Sequence, residues 1–260
     1  MSVKVLESNV LHAGDVVYWL DGTSAEHEAE MRRVVSELDI EFTARPRGLN
    51  VLRKAGQLAV WRRPDDEAGM VPGLADEAAR ARPAMPPLRL AGIVRDLAGR
   101  YNPRAFDLTL GSGAGHALRL YPTPGATRIP KAGALLGTLR LAGGQVPVAW
   151  ALLSLAVAVS GNTLTFSAQA DGNGDFVIAL RRLPPLPESV SAYDAVLTIK
   201  ADLAAHADLP IDPAAARAAL AIGRPDADAF HSSLALSVTP GEVRLLRSFD
   251  KNHLAVQPQS

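Results

Sequence analysis

Three oxygen-bearing side chains at alternate positions, Asp171, Asn173 and Asp175, interleave with Gly172 and Gly174 in the stretch Ala168–Leu180. The spacing matches the first half of a calcium loop, because a hard cation draws its ligands from carboxylate and amide oxygens. A full loop of this kind ends in a bidentate Glu at its twelfth position, and here that position is Arg182. Oxygens from elsewhere in the fold would have to complete the shell. A calcium- or glycan-binding module is therefore one reading of Asp171, Asn173 and Asp175. The other is a hairpin turn, in which the glycines supply positive φ and the Asp and Asn side chains bond nearby backbone amides.

The remaining candidates are weaker. His27 and Glu30 are three apart, which would set two ligands on one helix face, but no second histidine motif lies nearby. A solvated helix start is the favoured reading. The run Gly111-Ser-Gly-Ala-Gly-His116 has the composition of a phosphate loop without its register. A strand-like Ala117-Leu-Arg-Leu-Tyr follows it, where a phosphate site needs a helix N-terminus. The 6 histidines show no local pairing. No Gly-x-Ser-x-Gly, His-Glu-x-x-His or Gly-x-x-x-x-Gly-Lys motif occurs. No catalytic residue and no organic cofactor is expected, and a hydrolase with a dispersed site ranks last among the readings.

Bulk properties narrow the classes further. The chain has 260 residues, 48% hydrophobic and 21% charged, which suits one or two folded cores. Lys plus Arg, at 27, balances Asp plus Glu, at 27, so nucleic acid has no electrostatic footprint. The absence of cysteine removes disulfides, thiolate metal sites and Cys nucleophiles. The segment Met1–Asn9 lacks a signal-peptide pattern. The most apolar run, Val146–Val159, falls short of the roughly 20 residues that a membrane helix needs. Cytoplasmic synthesis, protein partners or self-association, and no membrane or nucleic-acid partner are the expectations.

These residues need elements to position them. Residues 1–63 read as a small α+β unit. Its strands fall near 2–6, 15–20, 40–44 and 58–62, and a helix is capped by Thr23 or Ser24 and lined by Met31, Val34, Val35 and Leu38. Residues 64–87 read as a Pro/Ala-rich linker with one short helix at 74–80. Residues 88–185 carry short strand signals between Gly, Pro and Asn clusters, as an antiparallel β-sandwich does. Residues 186–260 add a strand at 193–200, a short helix from Asp212-Pro213, and a hairpin of 234–238 with 242–246 around Thr239-Pro-Gly241. They either complete the sandwich or stand apart, and Gln257–Ser260 is expected to fray. Trp19, Trp61 and Trp150 lie in strand-like runs and are expected to pack in cores. The expected class is mainly β: an antiparallel β-sandwich core with a small α+β N-terminal unit and a short helix in the C-terminal part.

Two motifs carry a resemblance. Gly92 and Val94 sit in a leading strand of Gly-x-Val type, and Asp171, Gly174 and Phe176 form an Asp-x-x-Gly-x-Phe pattern. Together, over residues 88–181, they resemble the carboxypeptidase regulatory-like (transthyretin-like) β-sandwich family. The stretch between the motifs is longer here than the family pattern, with extra strands around 130–158. The resemblance implies a non-catalytic scaffold and interaction module. Such modules also occur fused to subunits of phage tails and contractile injection particles. The expected function is thus a non-enzymatic subunit of a larger assembly, with a virion or particle of that type as the setting the resemblance implies.

Overall fold

A computed structural model describes residues 14–47, 49–62, 87–111, 113–214 and 218–259, with the backbone alone at 61–62. Among them the chain is mainly β, with seventeen strands, two 3-10 turns (Glu28–Glu30 and Pro124–Ala126) and no α-helix. The first seven strands are β1 (Asp15–Asp21), β2 (Leu38–Ala44), β3 (Leu49–Lys54), β4 (Gln57–Arg62), β5 (Leu88–Asp96), β6 (Arg104–Leu110) and β7 (Gly115–Leu120). They make a four-stranded sheet, β3-β4-β1-β7, and a three-stranded sheet, β2-β5-β6. The pairing of β1 with β7 is parallel.

Alternation decides what these strands bury. Val17 and Trp19 of β1, Leu58 and Val60 of β4, Leu118 and Leu120 of β7, Leu90 and Val94 of β5, and Phe106 and Leu110 of β6 form one apolar cluster between the two sheets. Trp19 meets Phe106 edge-to-face at 5.6 Å between ring centroids. Gly92 lets β2 approach closely: a Cβ there would stand 2.4 Å from the Glu41 carbonyl oxygen.

The other strands are β8 (Ala134–Leu141), β9 (Leu152–Val159), β10 (Asn162–Gln169), β11 (Asp175–Ala179), β12 (Tyr193–Ala201), β13 (Ala218–Gly223), β14 (Phe230–His231), β15 (Leu234–Val238), β16 (Val243–Leu245) and β17 (Leu254–Pro258). They form one ten-stranded sheet along the path β10-β9-β12-β13-β17-β8-β11, with β15 on β12, β16 on β8 and β14 on β13. This sheet curls into a half-barrel around a second cluster that includes Leu139, Leu153, Leu155, Phe166, Phe176, Ile178, Leu197, Leu220 and Val256. In β12 burial alternates at every residue, so one face lines this core and the other meets solvent.

Several expectations are corrected. The helix expected over residues 23–38 is absent. Thr23 and Ser24 bond to Asp21 in a turn, and only Glu28–Glu30 is helical, as one 3-10 turn. The chain then runs extended beside β1, with the Val34 amide donating to the Trp19 carbonyl. Met31 and Val34 are buried but Val35 is 81% exposed, which breaks the helical face. The unit is therefore β throughout its described residues. The helix expected from Asp212 is also absent there. Asp212 accepts the Ala214 amide in a tight turn, and Ala218–Gly223 becomes β13 because Leu220 and Ile222 are buried between β12 and β17. Tertiary burial overrides alanine's helix propensity. The hairpin expected between 234–238 and 242–246 does not form, since β15 pairs β12 and β16 pairs β8. Residues 254–258, partly assigned to a frayed tail, form β17 in the wall.

The strands of 88–120, expected to belong to the 88–185 sandwich, pair with β1 and β2 and bury their side chains in the first cluster. Trp19 and Trp150 are buried. The expected strand at 2–6, the helix at 74–80 and the Trp61 side chain lie outside the described residues. No described helix is long and apolar enough to cross a membrane.

Candidate functional site

The polar turn Asp171–Asp175 joins β10 to β11, but those strands are not partners. β10 pairs β9 and β11 pairs β8, so the turn links the two end strands of the curled sheet. Hydrogen bonds fix it on both sides. Asp171 Oδ1 accepts the Asn173 amide at 2.8 Å and the Asp175 amide at 3.0 Å. The Trp150 amide donates to the Asp171 carbonyl, and the Leu139 amide to the Gly174 carbonyl. Thr138 Oγ1 donates to Asp175 Oδ1. Gly174 has φ +80°, and a Cβ there would meet the Leu139 carbonyl oxygen at 2.5 Å, a position that glycine suits.

Asp171 and Asp175 are thus occupied by protein donors, while Asn173 is exposed. Burial pushes the Asp171 carboxyl above the usual aspartate value, against the pull of the Asp175 and Asn173 amides. Among the described residues no group of three or more His, Cys, Asp or Glu is arranged to hold a metal ion.

His27 and Glu30 share no helix, since the 3-10 turn begins after His27. The glycine-rich loop before β7 wraps a carboxylate instead of a phosphate. Asp15, 1% exposed, accepts the Gly111 amide at 2.6 Å and the Ala114 amide at 3.2 Å, with His116 Nε2 at 3.3 Å. Local sequence reasoning missed Asp15, which lies far from the loop in the chain.

A groove of about 550 Å³ opens on the half-barrel between β15, β16 and the segment 246–252. Leu234, Leu236, Leu245 and Leu246 give it apolar walls, and Arg244, Arg247, Lys251 and Asp250 give it charge. Glu242 holds Arg244 through two hydrogen bonds of 2.8 and 3.0 Å, and Arg244 Nη1 donates to the Ser237 carbonyl at 2.8 Å. Arg244 therefore spans from one lip to the other. Val243, Leu245 and Phe249 are exposed at or beside the groove. No residue of this groove was singled out from sequence as a site. The run Val243-Arg-Leu-Leu-Arg-Ser-Phe249 held the one available signal, large apolar residues interleaved with arginines.

No protein-family model matches the chain, and no curated protein or solved structure gives a significant match. What defines the molecule is its own geometry: a mainly β chain with a two-sheet cluster, a curled ten-stranded sheet and a groove on that sheet.

Proposed function

We propose that this chain is a non-enzymatic interaction protein, a β-rich subunit that works by binding other polypeptides in a larger assembly. The observation that carries the reading is the groove, where β15 and β16 each have one edge without a strand partner among the described residues. Folded proteins normally blunt or cover open edges, because unpaired N–H and C=O groups recruit other chains. Exposed Val243, Leu245 and Phe249 add apolar surface there. The Asp15–His116 pair does not favour catalysis, because loop amides hold a carboxylate shut away from solvent.

A β-sandwich module of the transthyretin-like kind, in a phage-tail or contractile-injection particle, is the setting that the sequence resemblance implies. Its two motifs lie in different sheets here, Gly92 and Val94 in β5 and Phe176 in β11. The assembly reading stands on the groove alone.

The test is purification of the full chain from its native source with light scattering. A homo-oligomer or a stoichiometric complex is expected. A monomer with no stoichiometric companion overturns the reading, as does turnover in a broad esterase, glycosidase and peptidase panel.

A further inference from the structure

We propose that the groove takes an extended, acidic segment of a partner polypeptide, which enters as an added strand between β15 and β16. This rests on the interaction reading above and specifies how the partner is held.

The wall of the half-barrel is split at this place. One edge of β12 is bordered by β13 at Ile199–Ala201 and by β15 at Tyr193–Leu197. One edge of β8 is bordered by β17 at Leu139–Leu141 and by β16 at Ala134–Leu136. On one side β13 pairs β17, from Leu220 with Pro258 to Ile222 with Val256, and the wall is continuous. On the other side β15 and β16 hold the corresponding ranks and do not pair. Two open strand edges therefore flank one groove.

The backbone there is set to receive a main chain. The Ala134 amide donates to the Glu242 carbonyl and the Leu246 amide to the Leu136 carbonyl. Alternation along a parallel ladder then turns the N–H and C=O groups of Val243 and Leu245 away from β8. Across the groove, the Ser237 carbonyl faces the gap and is capped by the Arg244 side chain, which an added strand would displace, and Ala235, two residues before it, presents its backbone on the same side. Strand addition uses such edges for affinity and side-chain pockets for selectivity. The leucines of the walls supply the pockets.

Charge sets the partner's chemistry. Arg244 is neutralised by Glu242, but Arg247 and Lys251 have no carboxylate partner among the described residues, and Asp250 is the one acid lining the groove. A local basic excess on a chain of net charge +0 favours an acidic segment. A polypeptide is favoured over nucleic acid because open strand edges pair with a main chain, and a single ring beside the groove, Phe249, makes no platform for successive bases.

The experiment uses the full chain and a fluorescent peptide of about ten residues, long enough for one strand, alternating valine with glutamate. Three further probes are its valine–lysine counterpart, the same acidic peptide N-methylated at alternate backbone amides, and a short oligothymidylate. Anisotropy is expected to show saturable binding of the acidic peptide, with the lysine and N-methylated peptides weaker by about tenfold or more. An Arg247→Glu/Lys251→Glu variant, Arg247 being exposed and Lys251 half-buried, should lose about tenfold in affinity for the acidic peptide and gain affinity for the lysine one. Its melting curve checks that it stays folded. Absence of binding, indifference to N-methylation, or tighter binding of the oligothymidylate overturns the proposal. If the native complex exists but its cross-links avoid β15 and β16 and the peptides fail, this inference falls and the interaction reading survives. If the peptide binds as described but no native complex exists, the interaction reading falls alone.

Discussion

Arg104 and Asp212 meet between the two halves of the β structure: Arg104 Nη2 donates to Asp212 Oδ1 at 2.7 Å, with Arg104 4% and Asp212 28% exposed at the side chain. Arg104 also donates to the Arg119 carbonyl, and beside it the Ala105 amide donates to the Ile211 carbonyl. Burial pulls the guanidinium's pKa below the usual arginine value while Asp212 raises it. The charge is costly to bury, and Asp212 offsets that cost.

The two partners should therefore differ under substitution. Asp212→Ala leaves a buried guanidinium without its counter-charge and is expected to destabilise by about 3 kcal/mol or more. Arg104→Met fills similar volume with no charge, and Asp212 still reaches solvent, so its cost should be smaller. Urea unfolding of both variants checks this order, and the reverse order would refute the account.

Tyr101 gives a signal at alkaline pH. Its hydroxyl donates to Asp21 Oδ2 at 3.2 Å, and burial, with the Asp21 charge and that hydrogen bond, pushes its pKa from 10.0 up to about 12. A folded pKa above the unfolded one contributes stability that is complete below pH 10 and lost as pH rises toward about 12. Absorbance titration should show a late tyrosine signal in the wild type that is missing in Tyr101→Phe, and the Phe variant should lose less stability across that window.

The Asp171 turn makes a prediction of opposite kind from ordinary acid denaturation. The carboxyl is raised mainly by burial, so its titration favours the folded state at low pH and costs stability as pH rises through its folded pKa. Compared with Asp171→Asn, the wild type should lose ground between acid and neutral pH. Denaturant midpoints of the pair at both ends measure the difference. Gly174→Ala should cost more than the roughly 1–2 kcal/mol that a left-handed backbone alone imposes on a side chain, because its Cβ also meets the Leu139 carbonyl.

Calcium should leave the melting temperature of the wild type and of Asp175→Ala equally unshifted, because Asp171 and Asp175 already serve protein donors. Heat released on titration into wild type alone, with a raised melting temperature, would establish the cation reading.

Strands were legible where β-branched and aromatic residues alternate, as in Asp15–Leu20, Leu164–Ala168 and Tyr193–Lys200. The misread segments share a cause. Ala218-Ala-Leu-Ala has helix-forming composition, and only its burial between β12 and β17 makes it a strand. Met31 and Val34 fit a helical period yet are buried from an extended chain. Partners were harder still. The parallel pairs β1–β7 and β8–β16 leave no mark in local pattern, and Thr239-Pro-Gly241 reads as a hairpin although its flanking strands part company. The groove was illegible for that reason. It exists only because two neighbours in sequence fail to pair.

The parallel seating of β17 on β8 carries a consequence for synthesis. While the ribosome is still making the chain, β9 can pair β10 and β12 and β8 can pair β11, but β13 has no neighbour on its far edge until residues 254–258 emerge. Until then Leu139, Leu220 and Ile222 lack the strand that covers them. A chain truncated just before Leu254 should be a chaperone client, and the released full chain should not.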